Sequence, residues 1–215
     1  MSQNKIILFF ILIATLFCAC DNTANNTKVL PKLGDKDTIT YIVNGQKKID
    51  SISHRIPDFA FIDQDGKPFT QADVQGKIYL VDFFFTSCPT ICPKVKKNML
   101  KVYEQIKTGP DIIILSHTID PKHDSIVVLR NFADRLHIDT KKWKFLTGDK
   151  DKIYEMAGQY LVAAQQDENA AGGFTHSGNV MLIDKNRCIR GYYNGLKTEK
   201  MDDLLRDIKI LEQEK

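Results

Sequence analysis

One uninterrupted apolar run limits the choice of folds more than any other feature of the chain. The segment IYLVDFFF, residues 78–85, is apolar except for Asp82 and has the composition of a strand that is covered on both faces. Cys88 and Cys92 follow at once, and then comes PKVKKNMLKVYEQIK (93–107), whose apolar residues recur with a helical period. The chain is therefore predicted to run from a buried strand through a short cysteine loop into an amphipathic helix.

The rest of the chain continues this alternation of strands and helices. The further elements are a strand over 111–117, a helix over 123–138, a strand over 144–147, a helix near 150–160, paired strands over 179–184 and 188–193, and a C-terminal helix with Thr198 as its N-cap. This order predicts an α/β domain with a thioredoxin-like fold, in which helices flank a central mixed sheet that carries insertions. Active residues of such sheets lie at the C-terminal ends of parallel strands, which is where Cys88 would be.

The N-terminus has the layout of an export signal. An apolar run from Ile6 to Ala19 follows one early lysine, and it is shorter than the roughly 20 residues that a bilayer-spanning helix needs. The run ends in Phe-Cys-Ala-Cys, which resembles a bacterial lipobox and predicts a lipid on Cys20. We therefore expect a signal peptide over 1–19 and attachment to a membrane outside the cytoplasm, in the periplasm or cell envelope. An uncleaved N-terminal anchor helix is the alternative.

Composition limits the class of protein. The segment after Cys20 is polar and rich in Asn and Thr, so residues 20–50 are predicted to form a flexible tether and residues 51–215 a single domain. A net charge of +3 is too balanced to indicate a nucleic-acid partner. The domain keeps only three cysteines, at 88, 92 and 188, which argues against a fold held together by disulfides.

The spacing of Cys88 and Cys92 leaves three kinds of chemistry open. Pro93 favours a helix that begins at that residue with Cys92 as its N-cap, and the helix dipole there stabilises a thiolate. The two thiols could form a static disulfide, a redox couple or a clamp for a soft metal. Zinc normally takes four Cys or His ligands, whereas two thiolates and one imidazole suit Cu(I).

Several motifs in the same order resemble the Sco/SenC family of membrane-attached copper-binding proteins, which have a thioredoxin fold and serve assembly of the copper site of cytochrome c oxidase. The motifs are LVDFFFTSCPTICP, LSHTIDPKHDS, WKFLTGD, GGFTHSGNVMLID and IRGYYNG, and the resemblance extends from about residue 56 to residue 205. It implies that Cys88, Cys92 and His176 are copper ligands. His117 and Cys188 depart from the family's usual residues, although neither is one of these three ligands.

The resemblance implies a metallochaperone that binds one copper ion and passes it to an oxidase subunit. Its partners would be that subunit and a copper donor or thiol reductant, and Cys88 and Cys92 would form a disulfide when oxidised. The rival interpretation is an enzyme, a thiol-disulfide oxidoreductase that uses the same cysteines with His176 as a general acid or base. Thioredoxin-type enzymes prefer a CxxC spacing and a nearby proline that GGFTHS lacks. A peroxidase of the peroxiredoxin type is a weaker third alternative.

Other residues have both structural and functional interpretations. Asp120 is expected to cap a turn, His117 to lie in the core or at its rim, and Asp82 to be hydrogen-bonded within the buried strand, yet each could act next to the ligands. Cys188 is expected to be a buried or edge-strand thiol. The lysines of the helix are expected to form a solvated face or to steer an acidic partner; they are Lys94, Lys96, Lys97 and Lys101.

Overall fold

The computed structural model describes residues 29–109, 111–167, 169–170 and 172–214, except for the side chain of His176. This part of the chain forms eleven strands, four α-helices and a short 3-10 helix, Gln71–Val74. The strands are β1 (Lys36–Val43), β2 (Gln46–Ser53), β3 (Ala60–Asp63), β4 (Pro68–Thr70), β5 (Ile78–Phe84), β6 (Ile112–Thr118), β7 (Trp143–Thr147), β8 (Ala164–Gln166), β9 (Phe174–His176), β10 (Asn179–Ile183) and β11 (Ile189–Asn194). The helices are α1 (Cys92–Ile106), α2 (Ile126–Leu136), α3 (Lys150–Gln159) and α4 (Thr198–Gln213).

A seven-stranded mixed sheet forms the centre of the domain. Its strand order is β11-β10-β5-β6-β7-β3-β4. Strands β5, β6 and β7 are parallel, whereas β10 pairs with β5, and β3 with β7, in the antiparallel direction. All seven residues of β5 and all seven of β6 are buried, as the apolar runs predict. The predicted thioredoxin-like α/β architecture is therefore confirmed.

Side-chain hydrogen bonds cap the N-termini of two of the helices. The Ser125 side chain accepts a hydrogen bond from the Val128 amide, and the Asp149 side chain accepts one from the Lys152 amide, so these two residues cap α2 and α3. The predicted cap of the last helix was wrong: Lys197 occupies that position, and the Thr198 hydroxyl donates to Asn98 instead. Helix α2 also begins at Ile126 rather than at residue 123.

The cysteine helix begins one residue earlier than predicted. Cys92 is its first residue, and Ile91 is the N-cap with helical angles. Pro93 is tolerated at the second position because the first four amides of a helix have no partner within it, so a missing N–H costs nothing there. The change brings Cys92 into the first turn of α1.

Part of the range predicted as a tether has regular structure. Strands β1 and β2 form an antiparallel hairpin, and before it the Leu33 amide donates a 2.8 Å hydrogen bond to the Ile189 carbonyl. The alternation of polar and apolar residues in these short strands is too weak to separate them from a loop by inspection. The boundaries at residues 20 and 51 stay predictions, and the signal segment lies outside the described residues. No helix in the described ranges is long and apolar enough to cross a membrane.

Candidate metal and redox site

The two cysteines lie together at the C-terminal end of β5. Cys88 occupies the loop and Cys92 opens α1, and both are buried as thiols rather than joined in a disulfide. The Cys92 amide donates to Cys88 Sγ over 3.5 Å, and the Thr90 hydroxyl oxygen is 3.8 Å from the same sulfur. The first amide of α1 and the Thr90 hydroxyl therefore both approach the Cys88 sulfur.

The surroundings make the two thiols chemically different. Burial alone would raise the pKa of Cys88, but hydrogen bonds from Cys92 and Thr90 outweigh burial and lower the pKa of this thiol. For Cys92 burial dominates, and the neighbouring Cys88 adds to it, so the pKa of Cys92 is raised. Cys88 is thus the more acidic of the two thiols and Cys92 the less acidic one.

A second segment of the chain passes over the cysteine loop. Gly172, at φ +84°, approaches so closely that a Cβ there would come within 2.7 Å of the Phe85 ring. The Phe174 ring centroid lies 5.0 Å from that of Phe85. Gly178, at φ +63°, leaves room for Ile91, whose Cδ1 would be 3.2 Å from an added Cβ. Both flanks of strand β9 therefore pack against the loop that carries the thiols.

A small cleft lies where these two segments meet. Its volume is about 220 Å³, and its walls include Cys88, Thr90, Ile91 and Thr175. A larger cleft of about 570 Å³ lies near the opposite end of β5, next to Gly76, and no cysteine or histidine is among its described lining residues. Of these two clefts, only the smaller one has a cysteine among its described lining residues.

His176 is the last residue of β9, and its backbone pairs with Ala164. Its side chain lies outside the described part of the structure, so its role as a third ligand stays a prediction. Among the side chains that are described, no group of three His, Cys, Asp or Glu could hold a metal ion. The predicted lipid site, Cys20, also lies outside the described residues.

Asp82 is part of a buried polar cluster under the first turns of α1. Its carboxylate accepts hydrogen bonds from Lys96 Nζ, at 2.7 Å, and from the Ser116 hydroxyl, at 2.5 Å. Ser116 Oγ in turn accepts from Lys96 and from Trp143 Nε1, each at 2.8 Å. Asp82 is thus satisfied by structural partners.

Lys96 differs from the solvated lysine that its helix position suggests. Its side chain is 3% exposed, and Nζ lies 4.1 Å from the centroid of the Phe84 ring. Burial lowers the pKa of Lys96, while the attraction of Asp82 and Cys92 opposes that change. The expectation of a wholly solvated lysine face was therefore wrong at this position, because a buried carboxylate requires a cation.

The sequence interpretation missed Asp124, which fixes the start of the cysteine loop. Its carboxylate is fully buried and accepts hydrogen bonds from the Thr86 amide at 3.0 Å, the Thr86 hydroxyl, the Thr118 hydroxyl at 2.5 Å and His123 Nδ1 at 3.1 Å. Its neighbour Asp120 accepts a long 3.4 Å hydrogen bond from the His123 amide, as expected for a turn. The only sequence signal was a carboxylate between two polar residues just before a helix.

His117 lies on the face of β6 opposite to Ser116, where aromatic side chains surround it. Its ring centroid is 5.0 Å from that of Phe61, 5.2 Å from Phe83, 6.1 Å from Tyr160 and 6.2 Å from Phe59. Neither ring nitrogen has a hydrogen-bond partner among the described residues. Burial lowers the pKa of His117 to about 3. The predicted core position is thus observed, although the imidazole is not hydrogen-bonded there.

Cys188 is the last residue before strand β11 and, as predicted, a fully buried thiol. Its amide donates to the Asp184 side chain over 2.9 Å. Burial raises the pKa of this thiol, and the nearby Asp184 adds to the shift. Its hydrogen bonds among the described residues, to Asp184 and to the Asn186 carbonyl, stay within its own turn.

Comparison with known proteins gives one consistent family. The family model described as SCO1/SenC matches residues 47–211. A SCO1/SenC family lipoprotein from Bacillus anthracis is 32% identical, with a TM-score of 0.67 over 74% of this chain and 95% of that one. BsSco, described as having a disulfide switch and as a member of the Sco family of cytochrome c oxidase assembly proteins, is 29% identical, with a TM-score of 0.67 over 75% of this chain and 95% of that one.

A third similar structure contains copper. ScoI of Arabidopsis thaliana with copper bound is 25% identical, with a TM-score of 0.61, and the match covers 71% of this chain and 97% of that one. The family match covers most of the domain, including the cysteine loop and the segment that crosses it. The chain therefore belongs to the SCO1/SenC family.

Proposed function

We propose that this protein binds one copper ion through Cys88, Cys92 and His176 and delivers it for the assembly of cytochrome c oxidase. The observation that carries the proposal is the packing of Gly172 and Gly178 against the cysteine loop. These contacts hold both flanks of β9 at the loop, and Thr175 of that strand lines the same cleft as Cys88. Copper is the cargo here, and the protein supplies its ligands.

The chemistry of the loop suits a soft metal. Thiolates and imidazole are the ligands that Cu(I) prefers, and a low coordination number leaves room for an incoming ligand from the acceptor. Cys88 is already disposed to ionise, whereas the Cys92 thiol releases its proton when the metal binds. BsSco is described as an oxidase assembly protein and the Arabidopsis ScoI structure as copper-bound, which supports the same role for this chain.

Oxidation of the two thiols provides a natural switch for copper binding. A Cys88–Cys92 disulfide would remove both thiolates, so the oxidised protein would lose its affinity for copper until a thiol reductant restored it. The description of a disulfide switch in BsSco supports this proposal. The upstream partners would then be a copper donor and a reductant.

The place of action follows from the N-terminus. A lipid on Cys20 would hold the domain at a membrane outside the cytoplasm, and the Bacillus anthracis relative is described as a lipoprotein. An acceptor subunit whose copper site faces the same compartment would lie within reach of a domain attached in this way.

A thiol-disulfide oxidoreductase is the second candidate. The difference between the pKa values of the two thiols favours it, because a more acidic Cys88 beside a less acidic Cys92 is also the arrangement of an attacking and a resolving thiol. In that role the protein would reduce cysteines of the oxidase or of another exported protein.

A complementation experiment separates the two candidates. In a strain that lacks the protein, we expect oxidase activity and the copper content of the oxidase to fall together. Added copper should restore both and added dithiothreitol should not, while Cys88→Ser and Cys92→Ser should fail to complement. Cys188→Ser is the matched control, since it removes a buried thiol outside the site and should complement. Rescue by dithiothreitol without copper would instead establish the oxidoreductase.

A further inference from the structure

Among the described residues, five of the nine exposed large apolar side chains lie in the β1–β2 hairpin. Ile42 and Ile49 are 75% and 68% exposed on one face, and Ile39, Tyr41 and Val43 are 36–41% exposed on the other. The hairpin turns at Asn44 and Gly45, which both have positive φ, as a tight two-residue turn requires. An isolated two-stranded hairpin of this length is only marginally stable in water. Contact of these apolar side chains with another surface would therefore stabilise the hairpin.

The base of the hairpin is fixed to the domain. The Asp37 carboxylate accepts a 3.1 Å hydrogen bond from the Arg55 amide and lies 3.1 Å from His54 Nδ1. His54 Nε2 lies 2.8 Å from the Gln159 carbonyl oxygen at the end of α3. Gly34 packs so closely on His54 that a Cβ there would come within 2.9 Å of it. The hairpin thus projects from a rigid base rather than swinging on a loose linker.

The hairpin lies close in sequence to Cys20, where the membrane attachment is proposed. Arg190 donates to the Leu30 and Pro31 carbonyls and so holds residues 30–31 on the domain. Val29 comes only nine residues after Cys20, which spans at most about 30 Å when extended. A lipid on Cys20 would therefore keep the first docked residues, and the hairpin that begins at Lys36, near the bilayer.

The charge of the outer hairpin indicates what covers it. The distal hairpin, residues 38–49, contains Lys47 and Lys48 and no acidic residue. Isoleucine, valine and tyrosine with adjacent lysines form the composition of a segment that lies at a membrane interface, where the lysine heads reach anionic lipid. A second copy of the hairpin would carry the same positive charge, which disfavours pairing between copies.

We propose that the distal hairpin inserts its apolar side chains into the interfacial region of an anionic bilayer and forms a second membrane contact beside the lipid on Cys20. This contact limits the rotation of the domain about its anchor, so the cysteine loop presents a restricted set of orientations to its partners. The inference rests on the proposed lipid attachment and does not depend on which metal the site binds.

The test places an indole on the hairpin of the full chain in nanodiscs that contain anionic lipid with brominated acyl chains. Tyr41→Trp is the probe, and Val127→Trp, which is 68% exposed on α2, is the matched control. Trp143 is the single natural tryptophan and is fully buried, so it gives the same background in both proteins. Mass spectrometry of Cys20 establishes separately whether the protein carries its lipid.

In the lipidated protein, we expect the Tyr41→Trp indole to shift its emission to shorter wavelength and to lose most of its intensity in brominated lipid. The Val127→Trp indole should do neither. Adding Lys47→Gln and Lys48→Gln should weaken the quenching, as should replacing the anionic lipid with a neutral one. Emission typical of water without quenching, on a protein whose lipid is confirmed, would overturn the proposal. A blue shift without quenching would also overturn it and would indicate a protein partner or a second copy.

Discussion

His117 should make the stability of the folded protein depend steeply on pH. The imidazole is fully buried among Phe59, Phe61, Phe83 and Tyr160, and it has no hydrogen-bond partner among the described residues. Burial lowers its pKa from an ordinary 6.5 to about 3. Between these values the unfolded chain carries a proton on this residue that the folded chain does not.

The sign of the effect follows from that difference in bound protons. As pH falls below 6.5, unfolding becomes coupled to proton uptake, so the free energy of unfolding decreases with a slope that approaches 1.4 kcal/mol per pH unit. The contribution is complete above the unfolded pKa and is lost progressively down to the folded one. From pH 7 to pH 4.5 the loss from His117 alone should be about 2.5 kcal/mol.

Urea unfolding of the metal-free protein and of His117→Phe at both pH values measures this loss. The substitution keeps an aromatic ring at this position and removes two unsatisfied nitrogens, so at pH 7 the variant should be at least as stable as the wild type. Between pH 7 and pH 4.5 the stability of the variant relative to the wild type should increase by roughly 2.5 kcal/mol, because every other titrating group is common to both proteins. Equal losses of stability in the two proteins on acidification would contradict a His117 that is buried without a proton.

Three further substitutions test the structural account. Asp124→Ala leaves several buried donors without an acceptor and should cost about 3 kcal/mol of unfolding free energy; a loss within 0.5 kcal/mol, on the order of a surface substitution, would show that the carboxylate does not hold the loop. Lys96→Met strands the Asp82 carboxylate and should cost about 3–5 kcal/mol, which Lys96→Met with Asp82→Asn should partly recover; an unchanged urea midpoint would contradict the buried pair. Gly172→Ala should clash with Phe85 and slow copper uptake in stopped-flow experiments, and wild-type kinetics would contradict the close approach.

The sequence predicts those elements of the fold whose hydrophobic pattern matches their burial in the domain. Strand β5 and helix α1 carry patterns that burial on two faces and on one face require, and the observed elements follow them. The hairpin of β1 and β2 escaped prediction because its strands pack against little else, so no buried face imposes a strict alternation on them. Short pairs such as β8 and β9 are set by tertiary contacts and leave a similarly faint pattern.

The sequence predicts the two cysteines of the candidate site, but not the buried polar contacts that surround them. Cys88 and Cys92 stand out by their spacing next to a buried strand, and the structure brings them together as expected. The buried state of Lys96 depends on the position of Asp82 fourteen residues earlier, and the role of Asp124 depends on Thr86 in another element. Such pairings between distant residues are decided by the packing of the whole domain, which a single sequence does not display.

The proposed function requires that two thiolates and one imidazole hold one copper ion. The most direct test is an anaerobic Cu(I) titration of the reduced protein lacking residues 1–20 against a competing chelator. The same titration follows on His176→Ala and on His137→Asn, which removes an exposed imidazole at a left-handed position that asparagine tolerates. We expect one tight equivalent of Cu(I), whose binding His176→Ala weakens at least tenfold, about 1.4 kcal/mol, and His137→Asn leaves unchanged. Binding that is indifferent to His176 would contradict it.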